Sequence, residues 1–346
     1  MKFMFTVGGS QSTVFCIAPL ATAARNAGHE ILLTADEPLL ETAAAIGLPA
    51  VPTPHPGKPA ARLRALLELA GQWPPDVVVG GLSYVPGLVA VETQALYVRH
   101  YWDIVPLRPE PGITPDLERL GLSGPPAADL FIDVCPPGLR PSPTPGARPM
   151  RWIPKNRQGR LQPWMYTRPA DRPRVLVTAG TRNLFLHSRS SVIRHLVDQL
   201  IAAGAEVVIA APERAAAEFG AQFRDVRVGW VPLDVVAPTC DLAVHHGGAA
   251  TTMTVLNAGA PQLVVPDNDY SRSVARALTD VGAGLTAAPV PPDGDRAAVE
   301  AIAAGCRRIL ADPRYTDRAR LLAAEIAGLP PPAEVVHTVE ELVASR

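Results

Sequence analysis

The sequence holds four cysteines in 346 residues, at Cys16, Cys135, Cys240 and Cys306, and no two of them form a CxxC pair. That spacing excludes a disulfide framework and a thiolate zinc site, and it makes a reducing cytoplasm the expected setting. Net charge is nearly absent as well: a formal −1 gives no sign of nucleic-acid or acidic-surface binding. No apolar run reaches the roughly 18–20 residues that would span a bilayer. Residues 2–7 form a brief apolar run after a single lysine, which reads as a first β-strand and not as a signal peptide. The loop that follows, GGSQST, lacks the third glycine of a dinucleotide fingerprint, so a nicotinamide- or flavin-binding first domain is not expected.

What is present is length, apolar residues and proline. A chain of 346 residues is long enough for two domains, and 47% hydrophobic content supplies both cores. The 38 prolines cluster at 49–59, 106–115, 125–149 and 289–292, which marks loops and linkers between folded segments. Between them the pattern alternates. Strands are expected at 2–7, 31–34, 76–80, 96–98 and 129–134, with helices at 14–27, 38–46, 60–70 and 85–94. After an irregular, proline-rich stretch at 136–173, a second alternation begins with a strand at 174–178. A helix at 190–203, a strand at 206–210 and a helix at 212–219 follow. Helices at 297–310, 315–328 and 333–344 close the chain. Strands that alternate with helices imply parallel sheets.

The stretch 226–285 concentrates the chemistry. Its centre, LAVHHGGAATTMTVLNAG, reads as a strand at 242–245, a turn at Gly247 and Gly248, and a helix at 253–258. Glycines admit a ligand to the backbone. A helix start offers free N–H groups and partial positive charge, which suits a diphosphate. His246, Gly247, Gly248, Ala249 and Thr251 are the candidate donor residues. An ordinary α/β turn with a core histidine is the competing reading. Trp230 and Val231, in GWVP, are candidates for a nucleobase, by indole stacking and by a backbone edge; Trp230 also fits a core aromatic. A strand at 262–265 ends in PDND, where Asp267 and Asn268 are candidates for a sugar. Two carboxylates at a strand end also fit Mg²⁺.

These segments together resemble a known family. WVP, HHGGAATT, GAPQLVVP and GAGL are similar to the donor-binding signature of GT-B-fold glycosyltransferases of the GT1 type. The resemblance is strongest to the actinobacterial enzymes that attach deoxysugars to polyketides. It extends to FTVGGSQSTVFCIAPLATAARNAGHE, VRHYWD, LFIDVCPPGLRP, MRWIPKNRQGRLQPWMYTRP and LPPPAEVVHTVEELV, and so to nearly the whole chain apart from 53–75.

The resemblance implies an α/β fold of GT-B type, two Rossmann-like domains whose parallel sheets face a central cleft. An acceptor-binding domain at 1–150, a linker at 151–172, a nucleotide-sugar domain at 173–330 and a closing helix at 331–346 are expected. It implies an inverting transfer of a deoxysugar from a dTDP-sugar to an aromatic or macrolide polyketide. No cofactor or metal is expected beyond that donor substrate. A homodimer is a candidate assembly, with no nucleic acid and no membrane as partner. Gly180 and Thr181 would face the diphosphate.

The resemblance also sets Thr13 where the family's catalytic histidine sits, with no histidine nearby. Asp103, in RHYWD, is the candidate base, or a structural partner of Arg99 or His100. Ser10, Ser83, Tyr84 and Trp102 are candidates for the acceptor site. Many family members that bind fully hydroxylated sugars carry Asp-Gln a few residues after the VVP proline where this chain has Tyr270 and Ser271, a change consistent with a deoxygenated donor. Ala250 replaces the last glycine of the family's HGGAGT. The chain is a few tens of residues shorter around 53–75. That shortening, with Thr13, keeps a non-catalytic, nucleotide-binding or partner-assisting protein as the alternative, and a nucleotide-sugar epimerase or hydrolase stands behind it.

Overall fold

The computed structural model describes residues 1–102, 104, 110–140, 142, 144–157, 159–178, 190–213, 216, 223, 226–289 and 296–346. The described chain divides into two compact units. The first comprises 1–135, 142–157 and 328–346, and the second 136–141 and 158–327.

In the first unit the order is β1 (Lys2–Thr6), α1 (Gln11–Asn26), β2 (Glu30–Ala35), α2 (Leu40–Ala45), β3 (Ala50–Pro52), α3 (Pro59–Gln72), β4 (Val77–Gly80), α4 (Val85–Thr93), β5 (Leu96–Tyr101), α5 (Thr114–Arg119), β6 (Leu130–Asp133) and β7 (Ala147–Pro149). The strands form one sheet in the order β3-β2-β1-β4-β5-β6-β7, with every described pair parallel. Its central strands are buried along their length, as in Phe3–Phe5 and Val77–Val79. That is why they read as continuous apolar runs. α1 begins three residues earlier than expected, because Ser10 takes the extended N-cap conformation.

The second unit contains α6 (Pro163–Tyr166), β8 (Arg174–Thr178), α7 (Ser190–Ala202), β9 (Glu206–Ala210), β10 (Arg227–Gly229), α8 (Leu233–Val236), β11 (Leu242–His245), α9 (Ala249–Asn257), β12 (Gln262–Val264), α10 (Asp269–Asp280), β13 (Gly284–Thr286), α11 (Arg296–Ala311) and α12 (Pro313–Gly328). Its sheet is β10-β9-β8-β11-β12-β13, again parallel throughout the described pairs. The expected helix at 212–219 lies mostly outside the described residues.

Two local features account for the unit boundaries. Arg174, 2% exposed, donates to the carbonyls of Trp164 (3.0 Å) and Thr167 (2.9 Å), to Thr239 Oγ1 (2.6 Å) and to Glu206 Oε2 (2.8 Å). The expected linker is thereby tied to the second sheet from residue 158 on, while 151–157 group with the first unit. The last helix, α13 (Pro332–Ala344), belongs to the first unit. It packs on α1, and His29 Nε2 lies 2.8 Å from Glu340 Oε1.

Candidate active site

In a parallel α/β sheet, ligands collect at the carboxyl ends of the strands. At that edge of the second unit, β11 runs into the turn His246–Gly247–Gly248 and then α9. Gly247 has φ +87°, and a Cβ there would lie 3.0 Å from both Ser271 Cβ and Val264 Cγ1. At Gly248 a Cβ would meet His246 Nε2 at 2.6 Å, so the half-exposed imidazole lies directly over that glycine. The left-handed backbone at Gly247 therefore requires glycine, whereas a side chain at Gly248 would have to displace the His246 ring. α9 begins at Ala249, four residues earlier than expected, and no side chain caps it. Its first amides have no intrahelical acceptor. They point, with the positive end of the helix dipole, at whatever binds over the turn. Ala250 adopts negative φ, since Gln94 is the only described non-glycine residue with φ above zero. The alanine in place of glycine is unstrained. Thr251 (8% exposed) and Thr252 (0%) lie inside the helix rather than before it.

His245 is a residue that sequence reasoning left in the strand. It is 1% exposed. Its Nδ1 accepts the Gly247 N–H at 3.0 Å, and its Nε2 lies 2.7 Å from Gln262 Oε1. Gln262 Nε2 in turn donates to Thr252 O at 3.3 Å. An Nδ1 that accepts an amide proton carries none of its own, so His245 is the neutral Nε2–H tautomer. Burial pushes its pKa down to about 3, and neighbouring His246 adds to the fall. A neutral histidine therefore fixes the turn from beneath while His246 stands above it. The available signal was strand alternation, which puts Ala243 and His245 on one face beside the register partners of β12.

Asp267 and Asn268 follow β12. Asn268 caps α10, accepting the Ser271 N–H at 2.9 Å in a reciprocal capping box. Ser271 Oγ accepts the N–H groups of Asp267 and Asn268, each at 3.0 Å, and lies 3.1 Å from Asp267 Oδ1. Asp267 Oδ1 also accepts from Asn268 Nδ2 at 2.7 Å. Asp267 Oδ2, by contrast, is buried and has no hydrogen-bond partner among the described residues. Ser271 is thus a 1%-exposed hub that joins the Gly247 turn to Asp267. The Asn-x-x-Ser spacing was the sequence signal for it. Among the described residues no three His, Cys, Asp or Glu side chains converge as a metal would need.

β10 is the far edge of this sheet, three strand positions from β11. At ~4.8 Å per strand, Trp230 begins on the order of 14 Å from the turn, a separation that suits the two ends of an extended nucleotide. Val231 is buried in a core cluster with Leu176, Val208 and Val236, so only its backbone can face a base. α8, which follows, packs against α9.

Comparison with known proteins decides the family. The model of the erythromycin biosynthesis protein CIII-like C-terminal domain matches residues 194–342. The L-demethylnoviosyl transferase of Streptomyces niveus is 34% identical over 375 aligned positions, covering 97% of each chain. The crystal structure of the Streptomyces sp. SF2575 glycosyltransferase SsfS6 complexed with thymidine diphosphate superimposes with a TM-score of 0.82 at 30% identity, covering 99% of each chain. The spinosyn rhamnosyltransferase SpnG complexed with spinosyn aglycone gives 0.83 at 25% identity, over 98% of this chain and 100% of that one.

The chain belongs to the GT-B deoxysugar glycosyltransferases of polyketide antibiotic biosynthesis. As a glycosyltransferase of this family it is short: 375 aligned positions against 346 residues leave at least 29 positions opposite gaps. No helix among the described residues is long and apolar enough to cross a membrane.

In this glycosyltransferase the candidates of the first unit divide. Ser10 precedes α1 with its hydroxyl 2.8 Å from Ser12 Oγ. Thr13 donates its hydroxyl to Ser10 O at 2.8 Å, so that proton is committed to the loop. Ser83 donates to Glu110 Oε2 at 3.1 Å. Tyr84 and Trp102 are 8% and 2% exposed, and Tyr84 packs in the cluster with Met4, Leu63 and Leu88. Both side chains are largely enclosed in the first unit. Asp103, Gly180 and Thr181 lie outside the described residues.

Proposed function

We propose that this glycosyltransferase is inverting and moves a deoxysugar from a dTDP-sugar to a polyketide-type aglycone, with no cofactor beyond the donor. The observation that carries the reading is the pairing of an uncapped helix start at Ala249 with the Asp267 Oδ2 that has no partner among the described residues, joined through Ser271. A buried acceptor left unmet costs about 1–3 kcal/mol, which a sugar hydroxyl on the donor would recover. The α9 amides, Gly248 and His246 would hold the diphosphate, and Trp230 with the Val231 backbone would hold the base. One free carboxylate oxygen suits a donor with few hydroxyls. Relatives whose structures hold thymidine diphosphate or an aglycone support this choice of donor and acceptor.

In the reaction, the acceptor atom attacks the anomeric carbon from the side opposite the diphosphate. The bond from that carbon to the phosphate oxygen breaks, and its electron pair leaves on the diphosphate. Preorganised donors aimed at this growing charge are the protein's main contribution. The acceptor proton passes to a base, for which Asp103 is proposed. Attachment through oxygen or through carbon is compatible with these steps.

A second reading rests on Thr13, whose hydroxyl is bonded within its own loop where the family's histidine would act. On that reading the chain binds nucleotide without transfer. Incubation with a dTDP-deoxysugar and an aromatic aglycone separates the two. Glycosylated product with release of dTDP supports the transferase; dTDP binding without product supports the second reading.

A further inference from the structure

At the carboxyl edge of the first sheet a charged side chain is buried where a helix would ordinarily present a leucine. Arg62 lies in the first turn of α3 and is 3% exposed. Its Nη2 donates to Val7 O at 2.5 Å and its Nη1 to Pro54 O at 3.3 Å. Burial lowers its pKa, and the nearby charges of Asp36 and Glu110 oppose that fall. Asp36, 3% exposed, accepts the Gly9 N–H at 2.9 Å. Glu110 Oε2 accepts from Ser83 Oγ at 3.1 Å and from the Tyr84 N–H at 3.0 Å. A Cβ at Gly8 would run into the Arg62 guanidinium and come within 2.9 Å of Asp36 Oδ1.

Desolvating a guanidinium is costly, and an apolar side chain of similar volume would serve α3 packing as well. The fork geometry explains what the charge does. It bonds the loop after β1 and the loop after β3, and its charge acts on Asp36, which holds Gly9 of the loop after β1, and on Glu110, which holds Ser83 and Tyr84 of the loop after β4. These loops lie at the strand ends where an acceptor would bind.

We infer that Arg62 is the positioning residue of the acceptor side, a buried clamp that sets the loop of Ser10 and Thr13 against the loop of Ser83. It touches no reacting atom. The assignment rests on the transferase reading for its effect on rate, though not for the clamp itself. Its location on α3 also gives the shortened 53–75 region a purpose: a single helix with one inward cation.

The test uses Arg62→Met and Arg62→Lys in the full chain, read by hydrogen exchange and by steady-state transfer. Arg62→Met is expected to speed exchange at the Gly9 and Tyr84 amides together, tenfold or more, with 226–289 unchanged. It lowers kcat with the acceptor about 100-fold, the scale of a misplacement near 1 Å, while dTDP affinity stays within twofold. Arg62→Lys, which keeps the charge but can serve only one of the two carbonyls well, recovers part of both. Native exchange at Gly9 and Tyr84, or a native kcat in Arg62→Met, overturns the assignment. Should Arg62→Met fail to fold, Gly8→Ala, whose Cβ would press on both the guanidinium and the Pro56 ring, disturbs the clamp without removing its charge, and native exchange with native kcat in that variant is equally fatal. If the unmutated chain transfers no sugar, the proposed function fails, and the paired exchange of Gly9 and Tyr84 alone decides the clamp.

Discussion

His245 Nδ1 accepts the Gly247 N–H at 3.0 Å, and this bond makes the glycine turn dependent on a neutral histidine. His245→Gln removes that acceptor in a 1%-exposed site and leaves a buried amide unmet. Such a loss costs about 1–3 kcal/mol. The turn then loses its fixed shape, and affinity for dTDP falls about tenfold or more by calorimetry. Unchanged affinity with unchanged melting temperature would show that the turn holds itself.

His246→Ala addresses the same turn from above. The imidazole lies over Gly248 and is proposed as a side-chain donor toward developing charge. Loss of one preorganised donor of this kind costs about 3–4 kcal/mol of transition-state stabilisation. A fall in kcat of that size is expected in a coupled assay of dTDP release. A rate equal to that of the unmutated chain removes His246 from the mechanism.

Asp267→Asn separates sugar from nucleotide. Oδ1 is engaged by Ser271 and Asn268, and Oδ2 has no partner among the described residues. The variant should raise KM for the dTDP-sugar about 10-fold to 100-fold, the scale of one charged hydrogen bond, while free dTDP binds as before. Equal losses for dTDP and dTDP-sugar would instead mean that the capping box around Ser271 has collapsed.

Stability should fall on acidification through two buried histidines. Burial is the main cause that lowers His245 to about 3 and His100 to about 4. Both are neutral in the fold, whereas the unfolded chain takes up protons below about 6.5. The unfolded state therefore binds more protons between those limits, so stability is fully present above about 6.5 and declines as pH drops toward the folded values. From pH 7 to pH 5 each contributes a loss of about 2 kcal/mol. Urea unfolding at the two pH values checks this, and His245→Gln should show a smaller drop by about one histidine's share. An equal drop in that variant would contradict the assignment.

The sheets were legible because parallel strands covered on both faces appear as unbroken apolar runs, as in Val77–Val79 and Val175–Val177. β7 was not, because Ala147–Pro149 is an edge strand hidden in a proline-rich segment, and an edge tolerates proline. The glycine turn could be read from HHGG, yet the start of α9 could not: Ala249 and Ala250 carry no cap signal, and Gly248 itself takes the N-cap position. Which histidine lies beneath and which above depends on Gln262, seventeen residues away, and only the fold brings it to His245. Arg62 read as one residue of an amphipathic helix, since its partners Val7, Asp36 and Glu110 are distant in the chain.

Calorimetric titration of the native chain with dTDP, with UDP and NAD as controls, comes first. Saturable binding of dTDP that exceeds both controls and weakens in His246→Ala is the expected result, and it would fix the diphosphate at the start of α9. No binding of dTDP, or binding indifferent to His246, would contradict the donor site and leave a glycosyltransferase fold without its ligand.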